Sequence, residues 1–188
     1  MFVAKKLRKE NIAEYLLYMW QIEDVIRANQ WDIDKIKQNV VDQYELSDEL
    51  KKEMIQWYEE LIAMMLQEGV KEKGHLQIND NVIIQLTDLH KQLVESPKYP
   101  FYNAKYFKVL PFIVELQAKG EEKKSEIETC FDSLYLLLML RLQKKTVSEK
   151  TTKALQQITE FISMLANFYD KQQKGELELD GYESSCNR

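Results

Sequence analysis

Glycine and proline are scarce in this chain: among 188 residues there are 5 of the first and 3 of the second. Sandwiches and barrels turn about every ten residues and spend Gly, Pro and Asn-Gly pairs on their turns, so an all-β architecture is disfavoured. Cysteine is nearly absent. Cys130, in an apolar run, and Cys186, near the end, form neither a CxxC pair nor a zinc spacing, and they read as reduced thiols. Long apolar runs are missing too. The longest, Leu134 to Leu140, falls far short of the roughly 20 residues that cross a bilayer. Met1-Phe2-Val3-Ala4 precedes Lys5, Lys6, Arg8 and Lys9, the reverse of a signal peptide's order, so a cytoplasmic protein without membrane contact is expected. Excess positive charge is also lacking. A net charge of -5 repels phosphate backbones and disfavours nucleic-acid binding.

What is present is apolar periodicity. Hydrophobic residues make up 45% of the chain and charged ones 30%, which suits a globular domain. Ile12, Tyr15, Leu16, Met19, Ile22 and Ile26 recur at steps of three and four and predict a first helix over 11–29. Asp32 caps a short second one. Ser47 opens a long third helix that Gly69 ends, and a connector follows over 70–80. Val82 to Leu93 form the fourth, stopped by Ser96-Pro97. The fifth runs from about Asn103 to Lys119, kinked at Pro111 and stopped at Gly120. Ser125 with Glu128 is a capping box for a sixth helix, apolar nearly all round and therefore central. Ser148 caps a seventh, which ends before Gly175. The expected fold is all-α: a single-domain bundle of six to seven helices over 1–175, with an acidic, loose tail over 176–188.

Chemical motifs are few. There is no GxSxG, Walker A, GxGxxG or HExxH pattern, and no catalytic residue, metal ligand or cofactor is assigned. Glu72-Lys73-Gly74-His75 has the Glu-x-x-His spacing of di-iron bundles but no second copy, so His75 reads as a solvated connector residue. His90 shares a stripe with Ile83, Leu86 and Leu93 and reads as a core-edge histidine whose ring packs while a nitrogen finds a partner. Cys130, beside Phe131, reads as core. Glu23 and Arg27, four apart, read as a surface ion pair.

The least ordinary stretch is 98–108, where Tyr99, Phe101, Tyr102, Tyr106 and Phe107 interleave with Lys98, Lys105 and Lys108. Pro97 and Pro100 predict an extended connection at its start, with Tyr99, Phe101 and Tyr102 lining a groove. Tyr99, Phe101, Tyr102, Lys105 and Lys108 are the candidate ligand- or partner-binding residues. Trp20 joins them, because it lies off the first helix's main stripe and offers a surface for a dimer.

The run Tyr15-Leu16-Leu17-Tyr18-Met19-Trp20-Gln21-Ile22-Glu23-Asp24 and the connector Tyr99-Pro100-Phe101-Tyr102 resemble a Bacteroidetes protein family of unknown function. That resemblance implies a small helical bacterial protein and transfers no catalytic residue. With apolar anchors in surplus and chemical motifs absent, the expected role is a non-enzymatic interaction or scaffold module that binds a protein partner or associates with itself as a homodimer. The alternative is a small-ligand-binding protein or enzyme with its pocket at 98–108.

Overall fold

Side-chain caps mark most of the helix starts in the computed structural model, which describes residues 2–120 and 123–179. Asp32 Oδ1 accepts from Asp34 N at 2.9 Å, Ser47 Oγ from Leu50 N at 3.4 Å, Ser125 Oγ from Glu128 N at 3.1 Å and Ser148 Oγ from Thr151 N at 3.2 Å. Each satisfies a main-chain donor that the first helical turn leaves open. The elements are α1 (Phe2–Glu10), α2 (Ile12–Ala28), α3 (Ile33–Asn39), a 3-10 turn (Val41–Gln43), α4 (Asp48–Gln67), α5 (Gln77–Glu95), α6 (Pro100–Lys119), α7 (Glu126–Leu142) and α8 (Glu149–Gln173). The protein is all-α among the described residues, with eight helices rather than six or seven. The additional one is α1, whose basic last turn, Arg8 and Lys9, suits the negative end of its dipole. Gly69 and Gly175 take left-handed φ of 73° and 70° just past α4 and α8, the conformation a helix stop favours.

Two other boundaries differ from the sequence expectation. α5 begins at Gln77, inside the expected connector, because carboxylates distant in sequence serve its first donors. Leu76 N donates to Glu23 Oε1 at 3.0 Å and Gln77 N to Glu68 Oε2 at 2.7 Å. α6 begins at Pro100, so the stretch expected to be extended is helical. Proline at the first helical position loses nothing, since that N–H has no partner in any helix. α6 also continues through Pro111, which faces solvent, where water can take the carbonyl that the ring leaves unbonded.

The described residues fall into two compact units, one of residues 2–10 and 14–82, the other of 11–13 and 83–179. In the first, α3 and the 3-10 turn pack on α4. Leu16, Met19, Trp20 and Ile26 of α2 are buried, as are Ile36, Val41, Tyr58 and Met65. Trp20, expected at the surface, is 2% exposed. In the second unit α6, α7 and α8 pack against one another around Tyr102, Val109, Ile113, Ile127, Phe131, Ile158 and Phe161. The apolar helix expected to be central is α7. Its buried residues reach no further than Leu137, and Leu136 and Leu142 stand in solvent. Of the expected tail, Glu176 to Leu179 follow α8, and the remainder with Cys186 lies outside the described residues.

No described helix is long and apolar enough to cross a membrane.

Candidate functional site

The stretch singled out by its composition is the first half of α6, and the helix divides it into two faces. Tyr102 and Tyr106 turn inward. Tyr102 is 1% exposed and packs against Phe161 and Phe168 of α8. Its hydroxyl lies 2.7 Å from His90 Nδ1 on α5. The other imidazole nitrogen, Nε2, is 3.4 Å from Glu126 Oε2 at the first residue of α7. Tyr106 stands edge-on to the His90 ring, close enough to the same carboxylate for Glu126 to help raise its phenol pKa. Three side chains from two helices thus gather around one histidine.

The protons in this network can be placed. Burial pushes the Tyr102 phenol up, so it stays protonated and donates to Nδ1. Burial also lowers the His90 pKa against the opposing pull of Glu126, so the ring is neutral near pH 7 and carries its proton on Nε2, facing the carboxylate. The Tyr106 hydroxyl, pushed up to about 12 by burial and by Glu126, stays protonated as well. Glu126 thus faces two neutral groups at the N-terminus of α7. His90 is the core-edge histidine the sequence suggested, with both nitrogens engaged. Cys130 is fully buried, and burial drives its thiol pKa up, which removes it as a nucleophile.

Beside this network opens a cleft of about 420 Å³, lined by Thr87, His90, Lys91, Val94, Tyr106 and Glu126 among others. Its lysines are already paired. Lys91 lies 3.3 Å from Asp88, and Lys124 lies 2.8 Å from Asp132 and 3.4 Å from Glu128.

The opposite face of α6 is bare. Phe101 is 83% exposed, and Phe107 and Val114 are exposed as well. With Ala104, Pro111 and Ala118 they form an apolar stripe at steps of three and four, flanked by Lys108 and Glu115, both also exposed.

Of the candidate residues, Tyr99 precedes α6, stacks edge-on to Phe168 and donates from its hydroxyl to the Glu178 carbonyl at 2.7 Å. Phe101 and Lys108 lie on the outer face, Tyr102 is core, and Lys105 pairs with Glu160 of α8. Trp20 belongs to the other unit, where it stacks on His75 with ring centroids 4.0 Å apart. The sequence reading undervalued His75 and Glu23. Glu23, expected in a surface pair, is completely buried. It accepts from His75 Nδ1 at 2.6 Å and from Asn79 Nδ2 at 2.7 Å, besides Leu76 N. Arg27 ion-pairs with Asp24 and donates to the carbonyls of Val70, Lys71 and Gly74. Glu23 and Arg27 thus do not pair with each other; Arg27 holds the 70–76 loop by carbonyls from Val70 to Gly74, and Glu23 holds it at His75 and Leu76. Glu126 carried one local signal, its place directly after the capping Ser125. Nothing local linked it to His90. No group of three or more His, Cys, Asp or Glu residues that could hold a metal occurs among the described residues.

Fold and cleft together define a small helical protein that carries, among its described residues, a histidine network beside a cleft and an open apolar face on α6. Its sequence matches the family described as Domain of unknown function (DUF4924) over residues 1–176, and the chain belongs to that family. No curated protein and no solved structure matches it.

Proposed function

We propose that this chain is a protein-association module that pairs with a second copy through the outer face of α6. The observation that carries the reading is the stripe Ala104, Phe107, Pro111, Val114 and Ala118, which is apolar at every position and open to solvent. An uninterrupted apolar stripe costs solubility unless something covers it.

The stripe is self-complementary when reversed. In an antiparallel pair centred on Pro111, Ala104 meets Ala118 of the second copy and Phe107 meets Val114. Lys108 then falls opposite Glu115, twice by symmetry. Such matching is what an isologous two-fold interface requires. A two-helix contact of this length sits near the low end of stable interfaces, about 1,200 Å², so the association is concentration-dependent.

Sedimentation velocity over a wide concentration range tests this. The parent protein should pass from monomer to dimer, and Phe107→Glu should hold it as monomer. Lys108→Glu should weaken the dimer, and adding Glu115→Lys should restore it. A parent that stays monomeric, or a dimer indifferent to Phe107→Glu, rejects the proposal.

A further inference from the structure

The cleft beside His90 has a chemical bias that the outer face of α6 does not share. Lys91 and Lys124 line it, yet each is already held by carboxylates, Lys91 by Asp88 and Lys124 by Asp132 and Glu128. Counting those partners, the surroundings of the cleft are net negative. Two carboxylates line the cleft itself, Glu95 and Glu126, and Glu126 is the one set against the buried histidine. Its contacts are the imidazole of His90, at 3.4 Å, and the phenol of Tyr106. Both are neutral groups, so neither brings a positive charge to the carboxylate. The Glu126 side chain is also 34% exposed, while that of His90 behind it is 7% exposed. One carboxylate, held from behind by a buried group and open in front, is thus presented to a cleft whose wall includes the aromatic Tyr106 and the apolar Val94.

We infer that this cleft binds a small organic amine, with its ammonium group on the Glu126 carboxylate and its apolar body against Tyr106 and Val94. A charge-assisted hydrogen bond to an oriented carboxylate is about twice as strong as a neutral one. An ammonium close to a tyrosine ring gains a further cation–π contribution. The volume of about 420 Å³ lies at the small end of ligand sites, which limits the occupant to a compact molecule. His90 acts as a positioning residue: the Tyr102 hydroxyl fixes Nδ1 as the acceptor, so Nε2–H stays aimed at Glu126. Anions are disfavoured because they would meet Glu126 directly and would have to displace carboxylates from both lysines.

Three probes of nearly equal size separate charge from shape: phenethylamine, 2-phenylethanol and phenylacetate, titrated calorimetrically into the full chain, with inorganic phosphate as a fourth. Phenethylamine should bind about ten-fold or more tightly than 2-phenylethanol, as an ion-assisted contact implies, and phenylacetate and phosphate should give no heat. Glu126→Gln should erase the preference for the amine, whereas Glu149→Gln, an exposed change on α8, should leave it intact. As a readout that needs no variant, phenethylamine should shift the NMR signals of the His90 and Tyr106 side chains in the parent protein and leave those of Trp20 and His75 in place. Absence of amine binding, a preference that survives Glu126→Gln in a folded variant, tighter binding of phenylacetate or phosphate, or shifts confined to other residues would each overturn the assignment.

Discussion

The molecule contains two histidine–glutamate pairs, and they are built to opposite ends. In the first unit Glu23 is wholly buried and takes three donors, the His75 ring, the Leu76 main chain and the Asn79 amide, all from one short stretch at the start of α5. Trp20 covers the His75 ring. In the second unit it is the histidine that is buried and the carboxylate that reaches the surface of a cleft. A buried carboxylate whose bonding capacity is used up by its own chain has nothing left for a ligand, and its value is structural. A carboxylate set beside neutral groups and open on one side remains accessible to something else. Burial of the acid, rather than presence of the pair, separates the two roles.

The largest effect that would sharpen this comparison is on stability. Glu23→Ala leaves the Leu76 N–H and the Asn79 amide buried without an acceptor, a loss of about 3 kcal/mol, read from the urea midpoint of the unfolding transition. Glu126→Ala should cost distinctly less, because Glu126 already meets solvent. Equal losses would mean that both pairs are structural clasps and would break the comparison.

A smaller effect concerns pH. The His90 pKa lies below its ordinary value of 6.5, with burial as the main cause, Glu126 opposing it and Lys91 adding to it. Its neutral form is therefore the one the fold prefers. The contribution is complete above 6.5 and is lost as pH falls through the lowered folded-state value, because the unfolded chain binds the proton more readily. Between about pH 7.5 and pH 5.5 the urea midpoint should fall for the parent and fall less for His90→Gln. A parent that gains stability from His90 on acidification would show that the ion pair with Glu126 outweighs burial.

Least affected should be the Lys105 to Glu160 pair, which joins α6 to α8 at the surface. Solvent screens such pairs, and Lys105→Ala should leave the urea midpoint unchanged within error. A clear drop would place Lys105 among the contacts that hold α6 against α8.

Much of the secondary structure was legible because it is local chemistry. A capping serine or aspartate and the main-chain donor it satisfies lie within two or three positions, so Asp32, Ser47, Ser125 and Ser148 announced their helices directly. Gly69, Gly175 and the Ser96-Pro97 step ended theirs for equally local reasons. The start of α5 escaped that reading because its caps, Glu23 and Glu68, come from α2 and from the end of α4. Pro100 was read as a breaker, although the same residue suits the first turn of a helix. The site was less legible still. His75 and Glu23 are 52 positions apart and carry no mark of each other, and helical spacing made Arg27 the more obvious partner for Glu23.

Residue types and their spacing were enough, by themselves, to decide that this chain is helical and where most of its helices begin and end, since those choices are made within a turn or two of the backbone. Only packing decided that Trp20 is core, that Glu23 is a cap for another helix, that His90 meets Glu126 and Tyr102, and that α6 keeps one apolar face open. Those outcomes depend on which helix faces come together, and burial there changes the energy of a carboxylate or an imidazole by more than any local preference does.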